Sequence, residues 1–186
     1  VAEVWRNKMD GQVIWITGLS GAGKTTVADA LGKRLSELSS KPIVLDGDNL
    51  REIFSEQNED TSPYTRENRV KLSYKYGLLC KELSSQGFTV IIATVSMFSE
   101  IYVWNRKNLP KYFEIFLNVP LKELRRRDPK NIYADFFSGA ISNVAGLDLR
   151  VDQPTEPHLV VEFNEKQSKE KIVDIIIENR YRWSSE

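Results

Sequence analysis

The chain has little of what would fix its function by composition alone. It holds one cysteine in 186 residues, so no internal disulfide and no thiolate metal cluster forms, and a reducing cytosolic compartment is the default expectation. It has one histidine, which excludes a histidine-rich metal centre. It has no excess of charge: 26 basic side chains balance 26 acidic ones. That balance argues against a general nucleic-acid binder while leaving room for a local anion site. No apolar run approaches the roughly 20 residues that a membrane-spanning helix needs. The opening residues, Val1 to Asp10, are mixed and charged and do not read as a secretory signal. Repeats, low-complexity tracts and Pro/Gly-rich linkers are absent too, so residues 1–186 are expected to form one domain with a core of its own.

What is present is alternation. Short β-rich runs fall at Val13–Thr17, Pro42–Leu45, Phe88–Ala93, Tyr112–Val119 and His158–Phe163. Helical stretches lie between them, to about Leu38 and from about Arg66 to Gln86, and the last runs from Lys166 to about Arg182 with Ile172, Ile175 and Ile176 at helical spacing. Strands alternating with helices predict an α/β fold, a five-stranded parallel sheet with helices on both faces in three layers. Continuously apolar strands suit a sheet covered on both sides, whose ligands sit beyond the carboxyl ends of the strands.

The strongest chemical signal stands there. Gly18, Leu19, Ser20, Gly21, Ala22, Gly23, Lys24 and Thr25, with Thr26 following, match G-x-x-x-x-G-K-[ST] between a strand and a helix. Such a turn aims backbone N–H groups at phosphate oxygens, and the helix N-terminus adds partial positive charge. Gly21 and Gly23 permit dihedrals and close approach that a side chain would block. Lys24 is expected to reach the β- and γ-phosphates of ATP, and the Thr25 hydroxyl to bind Mg²⁺. A guanine-reading Asn-Lys-x-Asp occurs only as Asn7-Lys8-Met9-Asp10, ahead of the first strand, and is read as chance. The second strand ends in Asp46-Gly47-Asp48-Asn49-Leu50-Arg51, two carboxylates expected next to the P-loop strand; Asp48 or Asn49 would also serve as a helix N-cap.

The P-loop, the Leu45-Asp-Gly-Asp-Asn-Leu-Arg51 segment and Asp128-Pro-Lys-Asn-Ile-Tyr133 together resemble the adenylyl-sulfate (APS) kinase family of P-loop kinases, over about Val13 to Leu159. The resemblance implies phosphorylation of a nucleotide's ribose 3′-hydroxyl by MgATP, a cytoplasmic enzyme, and a lid over about 128–150. It implies Lys24 and Asp48 as catalytic residues and Arg127 on ATP. Asp48, Arg51, Arg66, Arg69, Thr94, Val95, Ser96 and Val144 would form the acceptor site. Relatives of this kind are often homodimers.

The departures from the family cluster at the acceptor. Two phenylalanines that clamp the adenine of APS are replaced, at about Thr61 and at Val144; the family's Asn is Arg69, and a lid Gly is Asn131. Tyr64, Phe98, Phe136 and Phe137 are candidates for replacement rings. The acceptor is therefore expected to be APS bound in a new way, or another nucleotide. Cytidine diphosphoramidate is one, the acceptor of a similar kinase from capsule modification. Less expected are a sugar acid or a regulator without turnover. Asn105 and Arg106 are further candidates for the acceptor's anionic tail, while Cys80, His158, Trp15, Trp104 and Trp183 read as packing residues.

Overall fold

The computed structural model describes residues 11–38, 42–54 and 64–183. The Asn7–Asp10 match and Thr61 lie outside them. Five strands form one sheet: β1 Gln12–Thr17, β2 Ile43–Asp46, β3 Thr89–Thr94, β4 Tyr112–Asn118 and β5 Leu159–Glu162. All neighbours pair in parallel, in the order β2-β3-β1-β4-β5. The sequence placed β2 beside the P-loop strand. In the structure β3 lies between them, because the chain crosses from β1 to the sheet edge and returns to fill the gap. The edges of the expected strands shift by a residue or so, and Phe88 stays outside β3, 41% exposed.

Alternation along β1 sorts the core into two layers. Ile14 and Ile16 face one side, where helix α1 (Lys24–Glu37) and the last helix α7 (Lys169–Trp183) supply Val27, Leu31, Leu35, Val173 and Ile176. Val13 and Trp15 face the other, against α2 (Gly47–Phe54), α3 (Arg66–Ser85) and α4 (Ser99–Asn108), which supply Leu50, Tyr76, Cys80 and Ile101. Each such fully buried apolar side chain stabilises the fold by roughly 1.5–3 kcal/mol. Cys80 and Trp15 are packing residues, as read from the sequence, both at 0% exposure. His158 is also structural: its Nδ1 accepts a hydrogen bond from the Glu114 N–H at 3.0 Å, and its ring packs between Phe113 and Trp183.

Two short helices, α5 (Leu121–Arg127) and α6 (Ile132–Phe137), follow β4. They carry the segment 128–150 across the mouth of the P-loop. Asp128 caps α6, its carboxylate accepting from the N–H groups of Tyr133 and Ala134 at 3.1 and 2.9 Å. Asn131 stands where the family has glycine and adopts φ 55°, a left-handed conformation that asparagine tolerates better than most residues.

Candidate active site

The P-loop, the β2–α2 corner, the start of α3 and the 128–145 segment enclose a cleft of about 610 Å³ at the carboxyl edge of the sheet. Ser20, Gly21, Gly23, Lys24, Thr25 and Thr26 line its P-loop end. Gly21 and Gly23 have φ of 78° and 90°, so the turn uses the left-handed geometry that glycine supplies. Gly18, Leu19 and Ala22 shape the turn from behind: Ala22 N–H donates to Leu19 O at 3.2 Å, and Leu19 O also accepts from Lys24 Nζ at 2.8 Å. Burial pulls Lys24 down to about 8, partly opposed by the charge of Asp48.

The β2–α2 corner carries both carboxylates, held by Tyr76 OH, which donates to Gly47 O at 2.7 Å. The cap of α2 is Asp46, not Asp48 or Asn49: its Oδ1 accepts from the Asp48 N–H at 2.8 Å. The strand runs straight into the helix without an intervening loop, so the last strand residue is the one placed to cap. Asp46 Oδ2 accepts from Thr25 Oγ1 at 2.7 Å. A hydroxyl and a carboxylate side by side are donors that Mg²⁺ takes, its shell being completed by phosphate oxygens and water. Among the described residues no cluster of three or more His, Cys, Asp or Glu could hold a metal without such help.

Asp48 stands further out, half-exposed. Arg51 Nη1 donates to its Oδ1 at 2.8 Å, and Lys130 Nζ donates to its Oδ2. Burial alone would raise its pKa, but Lys130 and Arg51 together outweigh that and hold it below the usual carboxylate range. Lys130 was not singled out from the sequence as a charge; its signal was the Asp128-Pro-Lys run. Tyr133 OH donates to Ser20 O at 2.9 Å and Arg127 Nη1 to Gly21 O at 3.4 Å, so the segment after β4 rests directly on the P-loop. Arg127 lines the cleft, steadied by Glu123, which its Nε reaches at 2.7 Å.

Of the expected acceptor residues, Asp48, Arg51, Arg69, Thr94, Val95 and Val144 line the cleft. Two do not. Arg66 pairs with Glu100 at 2.8 Å and Asp152 at 3.2 Å and stacks over Phe98, which draws it off the cleft. Ser96 is buried behind the wall, sharing hydrogen bonds with Ser73 at 2.7 Å and Thr94 at 2.8 Å. Neither Asn105 nor Arg106 lines the cleft: Asn105 is fully buried and donates to Tyr112 OH at 3.3 Å, and Arg106 pairs with the buried Glu114 at 3.0 Å. Among the four candidate rings Tyr64 alone lines the cleft. Asp148, missed from the sequence, shapes the Val144 loop by accepting from the N–H groups of Asn143 and Val144 at 2.8 and 2.7 Å.

Known proteins resemble this chain in the same terms. Residues 10–162 match the family model described as adenylylsulphate kinase. A cytidine diphosphoramidate kinase of Campylobacter jejuni is 39% identical over 91% of this chain and 96% of its own. An adenylyl-sulfate kinase of Clostridium acetobutylicum is 38% identical over 92% and 84% respectively. Among solved structures, the Mycobacterium tuberculosis APS kinase CysC in complex with AMPPNP and APS superposes with a TM-score of 0.82 at 28% identity, covering 92% of this chain and 98% of that one. The family model spans most of the chain and both relatives are at least 38% identical over nearly all of it, so the chain belongs to the adenylyl-sulfate kinase family of ATP-dependent phosphotransferases.

Proposed function

We propose that the chain transfers the γ-phosphoryl group of ATP to the ribose 3′-hydroxyl of a cytidine nucleotide, with cytidine diphosphoramidate, named for the Campylobacter relative, as the acceptor. The observation that carries this reading is the acceptor end of the cleft, where Tyr64 is the one aromatic ring among the described lining residues and Val144 lines the same cleft from the lid loop. The family clamps an adenine between two phenylalanines. Stacking is worth roughly 1–3 kcal/mol per contact, so a half-clamp suits a smaller base.

In this reading the P-loop N–H groups and Lys24 hold the β- and γ-phosphates, and Arg127 lies on the nucleotide. Thr25 and Asp46 would hold Mg²⁺, which supplies charge neutralisation on the phosphates. Asp48 accepts the proton as the acceptor's O–H bond breaks and its oxygen bonds to the γ-phosphorus. The bond from the γ-phosphorus to the bridging oxygen breaks, and the charge left on ADP is met by Lys24. Lys130 and Arg51 flank Asp48 and suit the acceptor's anionic groups. No helix among the described residues is long and apolar enough to cross a membrane.

A coupled ADP-release assay with MgATP, offering cytidine diphosphoramidate and APS at equal concentration, tests the reading. Preferential turnover of the cytidine compound is expected. Turnover of APS alone would instead establish a PAPS-forming enzyme, a reading that the 38% identical Clostridium relative favours.

A further inference from the structure

This inference rests on the cytidine reading of the acceptor. Two guanidinium groups lie against the Tyr64 ring, with Cζ of Arg51 at 5.4 Å and of Arg69 at 5.2 Å from its centre. Their bonds divide their roles. Arg51 is turned toward Asp48 and the reacting end. Arg69 is fixed by main-chain carbonyls: Nε donates to Tyr64 O at 2.9 Å, and Nη2 donates to Asn143 O at 3.0 Å. It thereby ties the start of α3 to the lid loop, which Asp148 holds from the other side.

The Arg69 guanidinium is thus a plane of set orientation, lining the cleft beside an aromatic face, with no described residue hydrogen-bonded to Nη1. A cation meant only to attract phosphate needs no such fixing. A donor held rigidly at the edge of a stacking surface can read one edge of a base lying on that surface.

We propose that Arg69 determines base specificity at the acceptor site: the base stacks on the part of Tyr64, 44% exposed, that the two guanidinium groups leave open, and Arg69 Nη1 donates to the N3/O2 edge of cytosine. Cytosine presents acceptors at both positions. Uracil carries N–H at position 3 and would set donor against donor, leaving both groups without the bonds they make in water. Sites built around such bonds reject the mismatched analogue far more strongly than sites built on shape. A purely electrostatic role for Arg69 predicts no preference, because CDP and UDP carry the same diphosphate.

The test is calorimetric titration of the full chain, first saturated with Mg²⁺ and a non-hydrolysable ATP analogue, with CDP and with UDP as probes. CDP is expected to bind at least about tenfold more tightly than UDP. Arg69→Lys, which keeps the charge and loses the fork, should bring the two affinities to within about threefold while leaving ATP-analogue affinity unchanged. Tyr64→Ala should weaken both nucleotides together and preserve their ratio. Equal wild-type affinities, or a preference that survives Arg69→Lys, would overturn the role of Arg69 and leave the cytidine acceptor class standing. APS is the third probe: binding of APS with neither pyrimidine nucleotide would overturn the cytidine reading and this inference with it. Arg69→Met, which keeps the length of the side chain and removes every donor, is the second variant, and it too should bring the two affinities to within about threefold.

Discussion

Replacing Asp48 by Asn separates the two halves of the cleft. The amide keeps the shape of the side chain and a carbonyl oxygen for Arg51, but it can no longer take a proton. Loss of a positioned general base costs about 10²–10³ in rate at the lower end of the range seen for such groups, or about 2.7–4 kcal/mol of transition-state stabilisation. The donor half touches Asp48 only at a distance: Thr25 bonds to Asp46 and Lys24 to Leu19 O, neither to Asp48. The charge of Asp48 raises the pKa of Lys24, so its removal would lower that value further, a modest effect at pH 7 where Lys24 begins at about 8. The expected signature is therefore a kcat reduced by about two to three decades with KM for ATP changed by less than about threefold. Steady-state ADP release with ATP and the acceptor varied in turn provides both constants. A kcat within threefold of wild type would refute the assignment of Asp48 as the proton acceptor, and a large rise in KM for ATP would show that the two halves are not separable.

Lys24→Ala should abolish measurable turnover, and in the wild type kcat/KM for ATP should decline above pH about 8 as the ammonium loses its proton; a profile flat to pH about 9.5 would contradict the burial of Lys24. Asp46→Asn keeps a good helix cap and removes a carboxylate from Thr25, so the Mg²⁺ concentration for half-maximal turnover should rise by about 10–100-fold, read from a metal titration at fixed ATP, with unchanged melting temperature. Arg106→Ala leaves the Glu114 carboxylate buried without its cation and should cost about 3 kcal/mol. Burial already holds the pKa of Glu114 above the usual carboxylate value, so the folded state loses stability as pH rises and the group must ionise, and more so without Arg106; the gap between variant and wild-type melting temperatures should be wider at pH 8 than at pH 5. Gly11→Ala would bring a Cβ within 2.3 Å of Phe88 O and 2.4 Å of Ser84 O, both backbone atoms, and should destabilise by about 3 kcal/mol in urea unfolding.

The donor half of this protein was legible in its sequence because phosphate binding is local. Residues 18–25 adopt their geometry from glycines at fixed offsets between one strand and one helix, and nothing distant needs to be known. The sheet was legible for a similar reason, since short continuously apolar runs between helical stretches already mark strands covered on both faces.

The acceptor half was decided by tertiary structure. Strand order is invisible to periodicity, so β2 was put beside β1 when the crossover sets it beyond β3. The identity of the helix cap depended on where strand gives way to helix, a boundary of one or two residues that moved the role from Asp48 to Asp46. Arg66 and Arg69, three positions apart on one helix, were both read from the sequence as acceptor residues. Arg66 found Glu100 and Asp152, 34 and 86 residues away, while Arg69 found the main chain of Asn143 and stayed in the cleft. A long cation goes to whichever carboxylate or carbonyl the fold brings within reach. The sequence alone therefore determined that this chain carries a P-loop at the carboxyl edge of a parallel sheet, and only the packing of distant segments decided which of its charges line the cleft.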